Sequence, residues 1–202
     1  MRVRSHWFRS ERPKTRAEIA GALAFIAWRV AQQVLRNMRR ADFEIDPGPK
    51  YFDFLAEWLV FLVHVADCVA WSRFGDAGRV EFTSAMANRL AEIHADNRAD
   101  LLGPWQARDG AGAKEAFIDL LNLRLADYTD FPVQEDADVP YGALRYLADH
   151  LSFVVGERDT IWVHEQVMEI EAPQAADTIR RGFRDLRGEG APRPRRAVEA
   201  GE

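Results

Sequence analysis

Residues 54–71 read FLAEWLVFLVHVADCVAW, the most hydrophobic stretch of the chain. It approaches the length of a transmembrane span. It also holds Glu57, His64 and Asp67. A carboxylate at bilayer depth costs ~2.5–3.5 kcal/mol on insertion scales. No other stretch is a candidate span. The reading is therefore the central helix of a soluble helical bundle, with no transmembrane segment.

On a helix advancing 100° per residue, with Asp53 at zero, Glu57 falls at about 40°, His64 at about 20° and Asp67 at about −40°. All four share one narrow arc of an otherwise apolar cylinder. The rarity of buried acids favours a thin solvent-facing edge. The competing reading is an interior polar line of carboxylate, imidazole and carboxylate that binds a ligand or a divalent metal. No cofactor is predicted outright. The orientation of the arc discriminates between the two: inward with convergent partners favours the ligand, outward the edge.

Working outward, helical periodicity runs from about Thr15 to Leu186. Thr15 and Glu18 have capping-box spacing, so a first helix starts there and ends near Arg40, before Asp46-Pro47-Gly48-Pro49. The apolar helix runs from about Tyr51 to Phe74 and stops at Gly75. A third carries Phe82, Met86, Leu90, Ile93 and Leu101 inward and ends at Gly103-Pro104. Helices over about 114–128 and 141–155 follow. The next holds Ile161, Trp162, Val167 and Ile170 and breaks at Pro173, and a short last one presents Ile179, Phe183 and Leu186. Glu92, His94, Asp96 and Asp100 read as a solvated face. No strand-like alternation and no internal repeat is present. The expectation is an all-α antiparallel helical bundle of about six to seven helices. It occupies 14–187 as one domain, between a basic tail (1–13) and a disordered tail (188–202). Phe52, Trp58, Leu59, Leu62, Val69, Leu90, Ile93, Leu121, Leu125, Leu147 and Leu151 are the predicted core.

The net charge of −5 is unevenly placed. Residues 1–16 carry six basic residues against Glu11, and residues 180–202 seven against four acidic ones, leaving the body strongly acidic. Such a body repels phosphate backbones, and no basic recognition helix accompanies the tails, so no specific nucleic acid is expected. The cations are nearly all arginine, which reads as a GC-rich bacterial genome. A single cysteine, Cys68, rules out an intramolecular disulfide and fits a cytoplasmic location.

Catalytic signatures are missing. None of the residues three before His64, His94, His150 or His164 is glutamate, so the di-iron Glu-x-x-His pattern is absent. His164-Glu165 lacks the second histidine of a zinc-protease helix. No nucleophile elbow or phosphate loop occurs.

Over residues 51 to about 131, Leu62-Val63-His64, Asn97-Arg98 before Gly103, and the Phe117, Arg124, Tyr128 spacing resemble ubiquinol–cytochrome c chaperones, which are helical assembly factors. A Gly-Val-Gly-Asp type stretch after the third helix is lacking. The resemblance implies a binding or assembly protein. The functional expectation is a non-catalytic helical protein acting through protein–protein contacts, and a homodimer. On the first helix Trp28 and Leu35 lie about 120–140° from Leu23, with Phe25 further round, all off the main apolar face. These three are the candidate interface. A later helix of the same chain covering that face is the alternative.

Overall fold

Gly75 decides how the longest helix is used. The computed structural model describes residues 13–107 and 110–189. In it one helical run, α2 (Pro49–Leu102), contains Gly75 at φ 66°, ψ −175°. Residues twelve apart in a straight helix lie about 18 Å apart along its axis. Here Arg79 Nε donates to Asp67 Oδ1 at 2.8 Å, Thr83 reaches the same carboxylate at 2.6 Å, and His94 Nε2 meets the carbonyl of Phe52 at 3.1 Å. Those pairings are possible only if the chain doubles back near Gly75. α2 is thus a helical hairpin of two antiparallel legs, residues 49–74 and 76–102. Its φ/ψ combination is one that essentially only glycine adopts.

The helix α1 (Arg16–Arg40) begins with the expected capping box: Thr15 Oγ1 accepts from the Glu18 N–H, and the Glu18 carboxylate accepts from the Thr15 N–H. After α2 come α3 (Ala113–Tyr128) and α4 (Tyr141–Ser152). A 3-10 turn, Glu157–Asp159, leads into Thr160–Glu165, the π-helical Gln166–Glu171 and Ala172–Arg187. These last three segments run on as one helix, α5. Pro173 does not break it. Proline lacks an N–H and crowds the carbonyl four residues back, and the π-helical turn just before it relaxes that ring. The described residues therefore form five helices and no strands. The expected count of six to seven differs because the two legs of α2 count as one helical run and the Pro173 junction is bridged.

α1 packs on α2 and α5, α2 also on α3, α4 and α5, and α4 on α5. The buried residues of α1 run from Ile19 to Met38 and include Trp28 and Leu35. On the wheel they fill one continuous arc from about −40° to about 140° relative to Leu23. A helix with neighbours on two sides buries half its circumference, not a narrow stripe. Gly182 of α5 permits a close approach there: a Cβ at that position would lie 3.2 Å from both Ile26 Cδ1 and Leu23 Cδ1.

Of the predicted core, all are buried except Ile93 and Leu125, which are half-buried against it. Leu101 is exposed instead of inward. On the first half of α5, Ile161, Trp162 and Ile170 are exposed, while Val163, Val167 and Glu171 are buried. α2 is the one described helix long and apolar enough to cross a membrane, and 89% of its most apolar window is buried inside the protein. The expected tails lie almost wholly outside the described residues; at their margin Gly188 caps α5 in the left-handed conformation.

Candidate functional site

The polar arc faces inward. Glu57 is 9%, His64 4% and Asp67 6% exposed, so the thin solvent-facing edge is not what the helix forms. Only Asp53, at the start of the arc, is exposed. A buried charge is tolerated when it is paired and hydrogen-bonded, and each residue of the arc has found a different partner. Arg124 of α3 donates to Glu57 through Nη2 at 2.8 Å and through Nε at 3.2 Å. Arg79 and Thr83, on the returning leg of α2, both bond Asp67. His64 Nε2 bonds the carbonyl of Phe131 at 3.0 Å. With the proton on Nε2, Nδ1 is left to accept the Cys68 thiol at 3.8 Å.

These bonds set the electrostatics. Burial pushes His64 below its ordinary value, opposed by the bond to Phe131, so the ring is neutral at pH 7. Burial pushes the Cys68 thiol up, against the N–H of Val133 that donates to its sulfur. The Tyr128 ring stacks on His64 with centroids 4.6 Å apart. Burial raises the Tyr128 phenol well above its usual range. Tyr146 packs edge-on against Tyr128 and bonds Asp127; burial and that bond push its phenol up to about 12. Gly142 lets Phe131 sit close, since a Cβ there would lie 2.3 Å from the ring.

Beside this floor runs a groove of about 750 Å³ between the two legs of α2 and α3, walled by Trp71, Val80, Leu125 and Tyr128, with His64, Asp67 and Cys68 at its base. That volume lies in the range of small-molecule sites. It offers no metal site: among the described residues no group of three or more His, Cys, Asp or Glu side chains is disposed to hold an ion. Glu57 and Asp67 are drawn to arginines on separate elements, and both His64 nitrogens are engaged. The donor set does not fit a divalent metal.

Of the proposed interface residues, Trp28 and Leu35 are buried within the chain at 6% and 3% exposure, while Phe25 is 56% exposed with Arg29 over its ring. The burial of Trp28 and Leu35 needs no second copy; the intramolecular alternative accounts for it. Sequence reasoning also missed His94. Instead of joining a solvated face it is buried, bonded to the Phe52 carbonyl and flanked by the rings of Phe52 and Phe117. The pattern held a clue: His94 lies one turn after Leu90, on the buried face. Asp149 pairs with His164 across α4 and α5 at 2.7 Å.

No family model, curated protein or solved structure matches this chain.

Proposed function

We propose that this is a non-catalytic, cytoplasmic binding or assembly protein that works through protein–protein contacts. One observation carries the reading. Phe153, Ile161 and Trp162 stand 80%, 79% and 61% exposed within ten residues of chain, at the junction of α4 and α5. Large apolar side chains scattered singly need no explanation, but three concentrated at one corner make a patch worth covering. The arc supports the non-catalytic part, because Glu57, His64 and Asp67 are each bonded to partners elsewhere in the chain. Burying three such side chains yields ~1.5–3 kcal/mol each. That is comparable to the cost of association, so the corner suits a reversible contact. The proposed partner is a second copy of the chain, met through this corner and not through Trp28 and Leu35, which are buried within the chain. In sedimentation velocity at micromolar concentration, wild type should associate and Trp162→Glu should be monomeric. A wild-type monomer removes the homodimer, and a variant that still associates removes this corner as its contact.

The inward arc favours a second reading, a small-ligand seat in the groove over His64, Asp67 and Cys68. Trp71 on its wall would report occupancy by a change in fluorescence.

A further inference from the structure

Glu171 is a buried acid that nothing above explains. It lies at the end of the π-helical turn of α5 and is 3% exposed. Among the described residues no arginine, lysine or histidine is within ion-pair distance of it, unlike Glu57 and Asp67. Its partners are two neutral amides: Asn37 of α1 donates to Oε2 at 3.0 Å, and Gln166 to Oε1 at 3.1 Å. A carboxylate offers about four acceptor positions, so about half of them are unfilled here.

The amides around it are all turned the same way. Arg36 donates to the Gln33 carbonyl, the Gln33 amide donates to Asn37, and Asn37 donates to Glu171. Each dipole in that chain points its positive end at the carboxylate. The Arg36 guanidinium is thus held at one remove from Glu171, through two side chains. Burying a charge without a paired cation is costly. Interrupting α-helical bonding with a π turn is also uncommon and concentrates at functional positions. Both features surround the same atoms.

Those atoms open onto a groove of about 430 Å³ between α1 and α5. Ile26, Val30, Val34 and Ala175 make its apolar walls, Gln174 and Thr178 its α5 edge, and Arg29 and Arg36 line it as well. We propose that this groove binds an organic cation, a primary ammonium or a guanidinium, seated on the Glu171 carboxylate. The walls accept an alkyl stem. The two arginines disfavour further positive charge, so the ligand has one cationic group and a neutral or anionic outer end. A free amine and a basic side chain of a polypeptide share this chemistry. The inference is independent of the α4–α5 corner and of the groove over His64.

The test uses the full-length chain and follows the side-chain NH2 resonances of Asn37 and Gln166 by NMR. The probes are n-butylammonium, a blocked Ala-Lys-Ala peptide and, as a control unable to donate a hydrogen bond, tetramethylammonium. Saturable shifts are expected with n-butylammonium in wild type, and roughly tenfold or more weaker binding in Glu171→Gln. Peptide binding as well would assign the site to a basic side chain of a partner; butylammonium alone would assign it to a free amine. Gln174→Lys, at an exposed position one turn along α5, guards against an unstable Glu171 variant. Its ammonium reaches the carboxylate and should abolish probe binding. Absence of saturable shifts in wild type, equal affinity in Glu171→Gln, undiminished binding in Gln174→Lys, or the same response to tetramethylammonium would each overturn the proposal.

Discussion

Removing Arg124 tests whether the arc is held by pairing or merely tolerated. Its guanidinium meets Glu57 at 2.8 Å, and the two side chains are only 18% and 11% exposed. At that separation the attraction is about 6 kcal/mol with an effective dielectric of 20, and desolvation of both ions offsets much of it in the intact pair. Arg124→Met keeps the apolar stem but leaves Glu57 desolvated with no cation. Breaking a buried pair in this way costs ~3–5 kcal/mol. The loss of stability should therefore be about 3–4 kcal/mol at pH 7. Urea unfolding of wild type and variant measures it, given two-state transitions with equal slopes. Arg124→Met with Glu57→Met should recover most of the loss, since an apolar pair replaces the ionic one. A loss below about 1 kcal/mol in Arg124→Met, or no recovery in the double variant, would refute the account.

Gly75→Ala should cost about 1–3 kcal/mol, because only glycine is at ease in that conformation; a neutral result in thermal melts would mean that the legs are joined by a different turn. His64 and His94 both have pKa values lowered by burial. The unfolded chain therefore binds their protons more readily, so stability is fully present above about pH 6.5 and declines as pH falls below it. The urea midpoint should drop between pH 7.5 and 5.5, and His94→Gln should flatten that slope if the Phe52 bond is kept; an unchanged midpoint in wild type would show that the rings are accessible.

Period and punctuation in the sequence reveal most of the helices. Thr15 and Glu18 cap α1, Gly75 marks the reversal, and Gly188 ends α5. What they do not reveal is how many neighbours a helix has. Trp28 and Leu35 looked like surplus apolar surface only because one neighbour was assumed, and α1 has two. Pro173 looked like a stop because the compensating π turn depends on tertiary packing and carries no composition signal. The candidate site was half legible. The angular alignment of Glu57, His64 and Asp67 is arithmetic on the sequence. Its direction is not, because Arg124, Arg79 and the Phe131 carbonyl lie 67, 12 and 67 residues away from the groups they satisfy. General rarity of buried acids argued for the surface, and specific partners reversed it.

The arc also answers a problem posed by its own helix. The leg 49–74 is buried on nearly every side, and an apolar cylinder in an apolar environment can slide or rotate at little cost, since leucines and valines exchange neighbours without a strict partner. Three polar residues remove that freedom. Glu57 fixes the leg against α3, His64 against the loop after α3, and Asp67 against the returning leg. A shift of one residue would rotate all three by about 100° and leave buried charges unpaired, at a cost that packing alone does not impose. Replacing the pairs by apolar residues could preserve stability while losing this registration. The groove lies where those three elements meet, with His64 and Asp67 in its base. Its shape is thus set by the same bonds that hold Glu57, His64 and Asp67 in register.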